Sequence, residues 1–426
     1  MKLSKIEVIL LTISLFGTLL FFGYYIISGR TYEGASSDNT FVSFMMIVDI
    51  VPLFLFLKYL TIGGNKKNVA LILVALIILI ALYGLGVGVN DITFKSLLAY
   101  CTPAALIGIL IAKSRSGTYF AKLLEPIMLF ISLFGITSMR YLLTISTLQE
   151  LGEEGIGAQS LSYYCGFAFA LNLYFILFGD ELPERFKYTK TTFYKYFSIG
   201  LLVVQFVVGL STGGRGGFLL LLVSGIVLVF MRIRHHSGNS RKTVGTAFTF
   251  FLIVAAFVFA VFFMPENIGA VISRGSERTF SYMSNSGIDV SETSGRDMVY
   301  KSAIETIQDS PIIGHGILMK NTPFYGDRPH NIILEVLIQG GIIYLFFFMW
   351  FMLHLYNKMR KLIKRGHGLY MVPVALYPMV MLMFSSSYLG NEFFWFVISY
   401  TLCCDIPKVQ RVYSPIPIGG ITKLKV

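Results

Sequence analysis

The chain has 426 residues, of which 55% are hydrophobic and only 14% charged, with a mean hydropathy of +0.70. A soluble domain carries about a quarter charged residues, so this composition excludes an ordinary water-soluble protein. The formal charge of +12 does not mark a nucleic-acid binder, because most cations fall in short loops on one side of the apolar runs, as the positive-inside bias requires.

Taken in chain order, apolar stretches predict helices over 6–28, 41–61, 69–89, 96–112, 123–146, 159–179, 194–211, 217–232, 245–265, 331–353, 369–387 and 390–404. Most approach the ~20 residues needed to cross roughly 30 Å of hydrocarbon. The expected fold is therefore all-α and polytopic, with about 12 transmembrane helices. The short alternating segments of a membrane barrel are missing. The opening residues Met1 to Lys5 lead into an apolar run without a small-residue cleavage site, so the first helix is expected to be retained. Placing the N-terminus in the cytoplasm puts about 24 of the 35 Lys and Arg inside and leaves both termini cytoplasmic. The four cysteines, Cys101, Cys165, Cys403 and Cys404, lie in apolar segments and suggest neither a disulfide framework nor a metal site.

Two charges fall within helices: Asp49 in the second and Arg140 in the outer half of the fifth. Charge at such depth is costly and usually paired, so a mutual bridge or a shared outward-facing cavity is expected. The seventh helix ends at Ser211-Thr-Gly-Gly-Arg215-Gly-Gly. Glycine permits close backbone approach and positive φ, and arginine offers a planar fork matched to phosphate oxygens. A tight helical turn whose arginine reaches lipid headgroups would use the same residues.

One connection is long, at about 266–330, and lies outside. It holds Arg274, Arg278, Arg296, Lys301, Lys320 and Arg328, against the charge bias. These residues either balance the acidic side chains of the same loop or bind an anion. Ser294-Gly-Arg296-Asp297 has the form of a capping box, and Tyr300, Ala303, Ile304 and Ile307 follow at i, i+3, i+4, i+7. Residues 295–309 are thus expected to form an amphipathic helix, with Arg296 and Asp297 in its first turn, where free N–H groups favour an anion. Arg328-Pro-His330-Asn331 then opens the tenth helix, with Glu335 and Gln339 continuing a polar stripe into the membrane. His330 is a candidate general base. Capping and interface anchoring would account for the same residues. His315, in Pro311-Ile-Ile-Gly314-His-Gly316, is a secondary candidate. No Asp-x-Asp, HExxH or paired CxxC spacing is present, nor a Walker A motif, so no metal, nucleotide or other cofactor is expected.

Four pieces in order resemble the O-antigen polymerase and ligase superfamily of membrane glycosyltransferases: Ser211–Phe218, Ser294-Gly-Arg296, Pro311–Gly316, and Pro329-His330-Asn331-x-x-x-Glu335. They span about residues 211–340, and the N-terminal half is similar only in hydropathy. The four glycines around Arg215 depart from the family pattern and imply an unusually flexible turn. The resemblance divides the chain into helices 1–7 over 1–210, a ligase-like region over 211–404 with the loop 266–330, and a cytoplasmic tail over 405–426. It implies a GT-C-like architecture, a bacterial inner or plasma membrane location with an extracytoplasmic site, and a metal-independent inverting enzyme. The donor would be an oligosaccharide on undecaprenyl diphosphate.

Roles follow from the same likeness. Arg215 and Arg296 would hold the diphosphate and His330 would stand at the reaction centre. Arg278, Arg328, Asn331, Glu335, Asp297, Arg140 and Asp49 are further candidates for binding substrate. Flippase and chain-length regulator proteins would be partners beside the lipid bilayer, and nucleic acid would not. A diphosphate needs charge neutralisation rather than a proton as it leaves, unlike the alkoxide of a glycosidase. Polymerisation of repeat units is the leading expectation. Ligation to a lipid-A core or protein, transport of the lipid-linked glycan, and a purely structural role are the alternatives. Internal repeats and midplane charges typical of transporters are not evident. If Asp49 and Arg140 are paired, each single charge reversal lowers the yield of folded protein, and the double reversal Asp49→Arg/Arg140→Asp restores it. Size-exclusion profiles of the three variants read this directly.

Overall fold

The computed structural model describes residues 2–27, 39–59, 66–89, 91–114, 116–144, 158–182, 185–235, 283–284, 287–288, 296–319, 328–366 and 368–405. The helices are α1 Lys5–Leu15, α2 Gly17–Ile27, α3 Asn39–Tyr59, α4 Lys66–Gly86, α5 Ile92–Ser96, α6 Thr102–Lys113, α7 Gly117–Thr144 and α8 Ala158–Phe178. They continue with α9 Thr192–Ser211, α10 Arg215–His235, α11 Arg296–Asp309, α12 Ile332–Lys364, α13 Met371–Phe384 and α14 Glu392–Cys403. A π-helical turn, Leu97–Cys101, joins α5 to α6. The strands described are the two-residue pair Met283–Ser284 and Gly287–Ile288, antiparallel with Met283 opposite Ile288.

Among the described residues, seven helices are long and apolar enough to cross a membrane, or eight if the bent α1–α2 pair counts as one span. The chain is a multi-pass membrane protein on this ground. The expectation was twelve. The expected helix at 245–265, most of the loop at 266–330 and most of the tail lie outside the described residues. The two C-terminal helices have 14 and 12 residues, or about 21 and 18 Å at ~1.5 Å per residue, so neither alone matches the hydrocarbon thickness. The first expected helix is broken by 69° after Leu15.

α8 lies at the centre: its span from Gln159 is 89% buried, whereas α4 is only 17% buried and faces outward. Small residues bring the closest helices together, as expected where lipid removes most of the hydrophobic driving force. At Gly108 of α6, a Cβ would sit 2.6 Å from the Phe396 carbonyl oxygen of α14. At Gly166 of α8, it would sit 3.1 Å from the Gly217 carbonyl oxygen of α10. An aromatic group ties the two ends of the sequence together. Phe167 of α8 stacks on Tyr377 of α13 at 4.6 Å, Tyr377 meets Phe393 of α14 edge-on at 5.1 Å, and Phe16 lies 5.3 Å from Phe393. Within the bundle, Asn172 Nδ2 donates to Gln205 Oε1 at 3.0 Å, and Gln205 Nε2 donates to Ser132 Oγ at 2.7 Å. These bonds link α8, α9 and α7, an interhelical role common for buried amides in membranes.

α12 is interrupted where Gly340 and Gly341 leave helical geometry, the latter with φ of 59°. The stretch after the break is still about 35 Å long at ~1.5 Å per residue, enough to cross the bilayer by itself. The loop Pro311–Gly316 fills the break. The amides of His315 and Gly316 donate to the carbonyls of Ile338 and Gln339 at 2.7 and 2.8 Å. In return, the amides of Ile342 and Ile343 donate to Pro311 and Ile312 at 2.9 and 3.3 Å. A Cβ on Gly341 would overlap the Ile312 backbone. Gly341→Ala should therefore cost about 2–4 kcal/mol from the left-handed backbone and overpacking together. Gly225→Ala in α10, with open space at the Cβ position, should be neutral or stabilising. Unfolding midpoints in detergent check the contrast; equal midpoints for the two variants would refute the plug.

Candidate functional site

One end of the bundle collects three interruptions between helices. Thr212–Gly214 turns α9 into α10, residues 328–331 lead into α12, and Ser385–Asn391 separates α13 from α14. Arg215 is the first residue of α10 and is half-buried. The turn before it lies directly on the start of α8. Gly213 has a φ of 66°, and Ser162 Oγ donates to the Gly214 carbonyl at 2.9 Å. A Cβ on Gly214 or Gly217 would overlap Ser162, and one on Gly216 would overlap the Tyr163 hydroxyl. All four glycines are buried. The flexible turn expected there is instead a closely packed one: Gly214, Gly216 and Gly217 have no room for a side chain, and Gly213 takes a positive φ.

His330 comes to the same place from α12. Its Nδ1 lies 3.2 Å from the Ser385 carbonyl oxygen. A carbonyl only accepts, so Nδ1 is the donor in that contact. The Ser385 hydroxyl is 2.8 Å from Tyr163 Oη and accepts from Gln159 Nε2. Ser385 thus stands between His330 and the Tyr163–Gly216 contact beside Arg215. His330 also has a φ of 51°, in the left-handed region. Such strain in a non-glycine residue persists only where its surroundings enforce it, and it gathers at functional sites.

The other expected residues fall as follows. Asn331 caps α12, accepting from the amides of Ile333 and Leu334 at 3.0 and 3.2 Å, while its Nδ2 donates to the Met383 carbonyl at 3.2 Å. Glu335 is buried, and its Oε1 accepts from Ser387 Oγ at 2.5 Å. Arg328 donates to Thr93 Oγ1 of α5 and acts electrostatically on Glu335. Asp49, in α3, is half-buried and within electrostatic range of Glu392 at the start of α14. The side chains of Arg140, Arg296 and Asp297, together with all of Arg278 and Ser294, lie outside the described residues. Arg296 opens α11, which runs Arg296–Asp309 and rests against α12. The buried face of α11 carries Ala303 and Thr306, while Ile304, expected on that face, is 50% exposed. His315 donates from Nε2 to the Thr306 carbonyl at 2.8 Å, which binds the loop to α11.

Gln159, Tyr163, Ser385, Ser387 and Thr93 are partners that sequence reasoning missed. The run Ser385-Ser-Ser-Tyr388 between two apolar segments was their one visible signal. Among the described residues, no three His, Cys, Asp or Glu side chains converge as a metal-binding set.

Comparison with known families bears on the same segment. Residues 200–349 match the family model described as O-antigen ligase. That match supports the O-antigen polymerase and ligase superfamily. It covers about a third of the chain and takes in Arg215, Arg296 and His330. No curated protein and no solved structure matches the chain. The family indicates a glycosyl-transferring enzyme of ligase or polymerase type.

Gly217→Ala forces a methyl onto both the side chain and the carbonyl carbon of Ser162, an overpacking of about 1–3 kcal/mol. The unfolding midpoint should fall accordingly. Ser162→Gly in the same chain should restore only part of it, because the carbonyl carbon remains. A Gly217→Ala protein that melts with the wild type would show that the turn does not pack this closely.

Proposed function

We propose that the chain is a membrane glycosyltransferase that polymerises oligosaccharide repeat units carried on undecaprenyl diphosphate, without a metal ion and with inversion at the sugar carbon. The observation that carries this reading is that the Arg215 turn and His330, both within the segment that matches a glycan-transferring family, meet at Ser385. His330 takes a proton on Nε2 from the acceptor hydroxyl. The acceptor oxygen bonds to the anomeric carbon as the bond from that carbon to the diphosphate oxygen breaks, and its electron pair leaves with the diphosphate. Arg215 and Arg296 neutralise the charge that develops there. Arg328 and Glu335 order the neighbouring wall, and Asn331 holds the helix start from which His330 projects. The site faces the extracytoplasmic side, where a lipid-linked donor is the one at hand, and the cation-rich end of the bundle faces the cytoplasm.

A second reading, transfer to a lipid-A core or protein acceptor, is favoured by the description of the matching family itself. Donor and grip are shared by the two readings, and the acceptor separates them.

Purified protein given a synthetic undecaprenyl-diphosphate repeat unit, with no added nucleotide or metal, should yield longer lipid-linked chains on gels. Release of the carrier only when core oligosaccharide is added would assign ligation. Movement of substrate across vesicles without turnover would assign transport. His330→Ala should slow the reaction by about 10²–10⁴-fold, the usual range for general-base help. Arg215→Lys and Arg296→Lys should also lose activity, because lysine keeps the charge and loses the fork. Full activity in all three folded variants would refute the assignment of the site.

A further inference from the structure

A cavity lies at the end of the bundle opposite His330. Its volume is about 1480 Å³, larger than a typical small-molecule pocket of roughly 300–1,000 Å³. The ends of α6, α8, α10 and α12 enclose it, together with the start of α13. Its floor is apolar and aromatic, with Tyr174, Phe178 and Met359, and its rim carries Arg234, Arg360 and Lys364.

Charge pairing sets this rim apart. Lys113 and Asp405, also in the lining, pair with each other at 3.3 Å, and Glu181 pairs with Arg232. Both lining carboxylates are therefore matched. Arg234, Arg360 and Lys364 are exposed, and none of them pairs with a carboxylate among the described residues. Topology alone requires cations at this end but not around a cavity. Three cations with no carboxylate partner among the described residues, above a greasy hollow, fit a molecule with an anionic head and a hydrocarbon body. Basic pockets between helix ends bind lipid head groups on the same principle.

We propose that this cavity seats an anionic phospholipid from the leaflet opposite the candidate active site, with its phosphate held by Arg234, Arg360 and Lys364 and an acyl chain along Tyr174, Phe178 and Met359. The inference does not depend on the glycosyl-transfer reading, because none of these residues belongs to that site.

The test uses the full chain in detergent, with unfolding midpoints measured after adding phosphatidylglycerol, phosphatidylcholine or soluble glycerol 3-phosphate. A ligand that binds only the folded state raises the midpoint. Phosphatidylglycerol should raise it by several degrees, with little effect from the other two. The triple variant Arg234→Gln/Arg360→Gln/Lys364→Gln should melt like the wild type in phosphatidylcholine and lose the phosphatidylglycerol shift. Equal shifts from both lipids, a shift retained by the triple variant, or an equal shift from glycerol 3-phosphate would each overturn the proposal. Should the triple variant fold poorly, Arg360→Gln alone can be examined by native mass spectrometry. One fewer retained phosphatidylglycerol is then expected, and an unchanged number overturns the site.

Discussion

In hydrocarbon, backbone groups must find partners within the protein, so a helix broken there needs its exposed amides and carbonyls repaired by another segment. The break in α12 meets this constraint by borrowing Pro311–Gly316. Two carbonyls freed before the break accept from His315 and Gly316, and two amides freed after it donate to Pro311 and Ile312. The repair is reciprocal, so the loop cannot shift without orphaning the helix. It also fixes α11 to α12, since His315 reaches back to the Thr306 carbonyl and Ser310 Oγ donates to Gly314 at 2.9 Å. The position of α11, and with it the backbone of Arg296, depends on a glycine pair that permits the break.

The same constraint explains why the candidate site lies where it does. A polar side chain in the middle of a spanning helix needs a partner across the bundle, as Asn172 has in Gln205. A polar side chain at a helix interruption can also serve backbone groups that would otherwise go unpaired. Ser162 serves Gly214, Asn331 serves two amides and Met383, and Ser387 Oγ accepts from the Leu389 amide at 3.2 Å. The interruptions between α9 and α10, before α12, and between α13 and α14 lie together at one end. Their capping groups therefore form a polar surface against an apolar body, a setting in which a charged ligand can be gripped with little competing water.

Much of this was legible in the sequence, and the illegible part has a physical cause. The positions of most described helices followed from apolar length, whereas the break after Leu15 did not. Arg215 between glycines, the helix ending at Asp309 and the entry of His330 to α12 followed from local chemistry. Contacts between distant segments did not. Gln159 and Ser385 are separated by 226 residues, and nothing in the period of either helix points to the other. Composition also misled at Gly214, Gly216 and Gly217, because freedom to move and absence of room for a Cβ both appear as glycine. The face of α11 was misread for a related reason. An i, i+3, i+4 pattern assumes that burial follows hydrophobicity, yet Thr306 is buried, its hydroxyl bonded to the Ser302 carbonyl at 2.8 Å, while Ile304 is exposed.

The left-handed backbone of His330 brings these elements together. A histidine with φ of 51° is uncommon, and relaxing it would let the residue join the first turn of α12 and carry its ring away from Ser385. Two neighbours oppose that relaxation. Pro329 is buried and has a fixed φ, so the chain entering His330 is constrained. Asn331 uses its side chain twice, to cap α12 and to hold Met383, which sets the first helical residue against the end of α13. Met383 is two residues from Ser385, so the contact that holds the start of the helix also holds the carbonyl that accepts the hydrogen bond of His330. Backbone on both sides thus bears on the imidazole, through its own left-handed φ and through the Ser385 carbonyl that it meets at 3.2 Å.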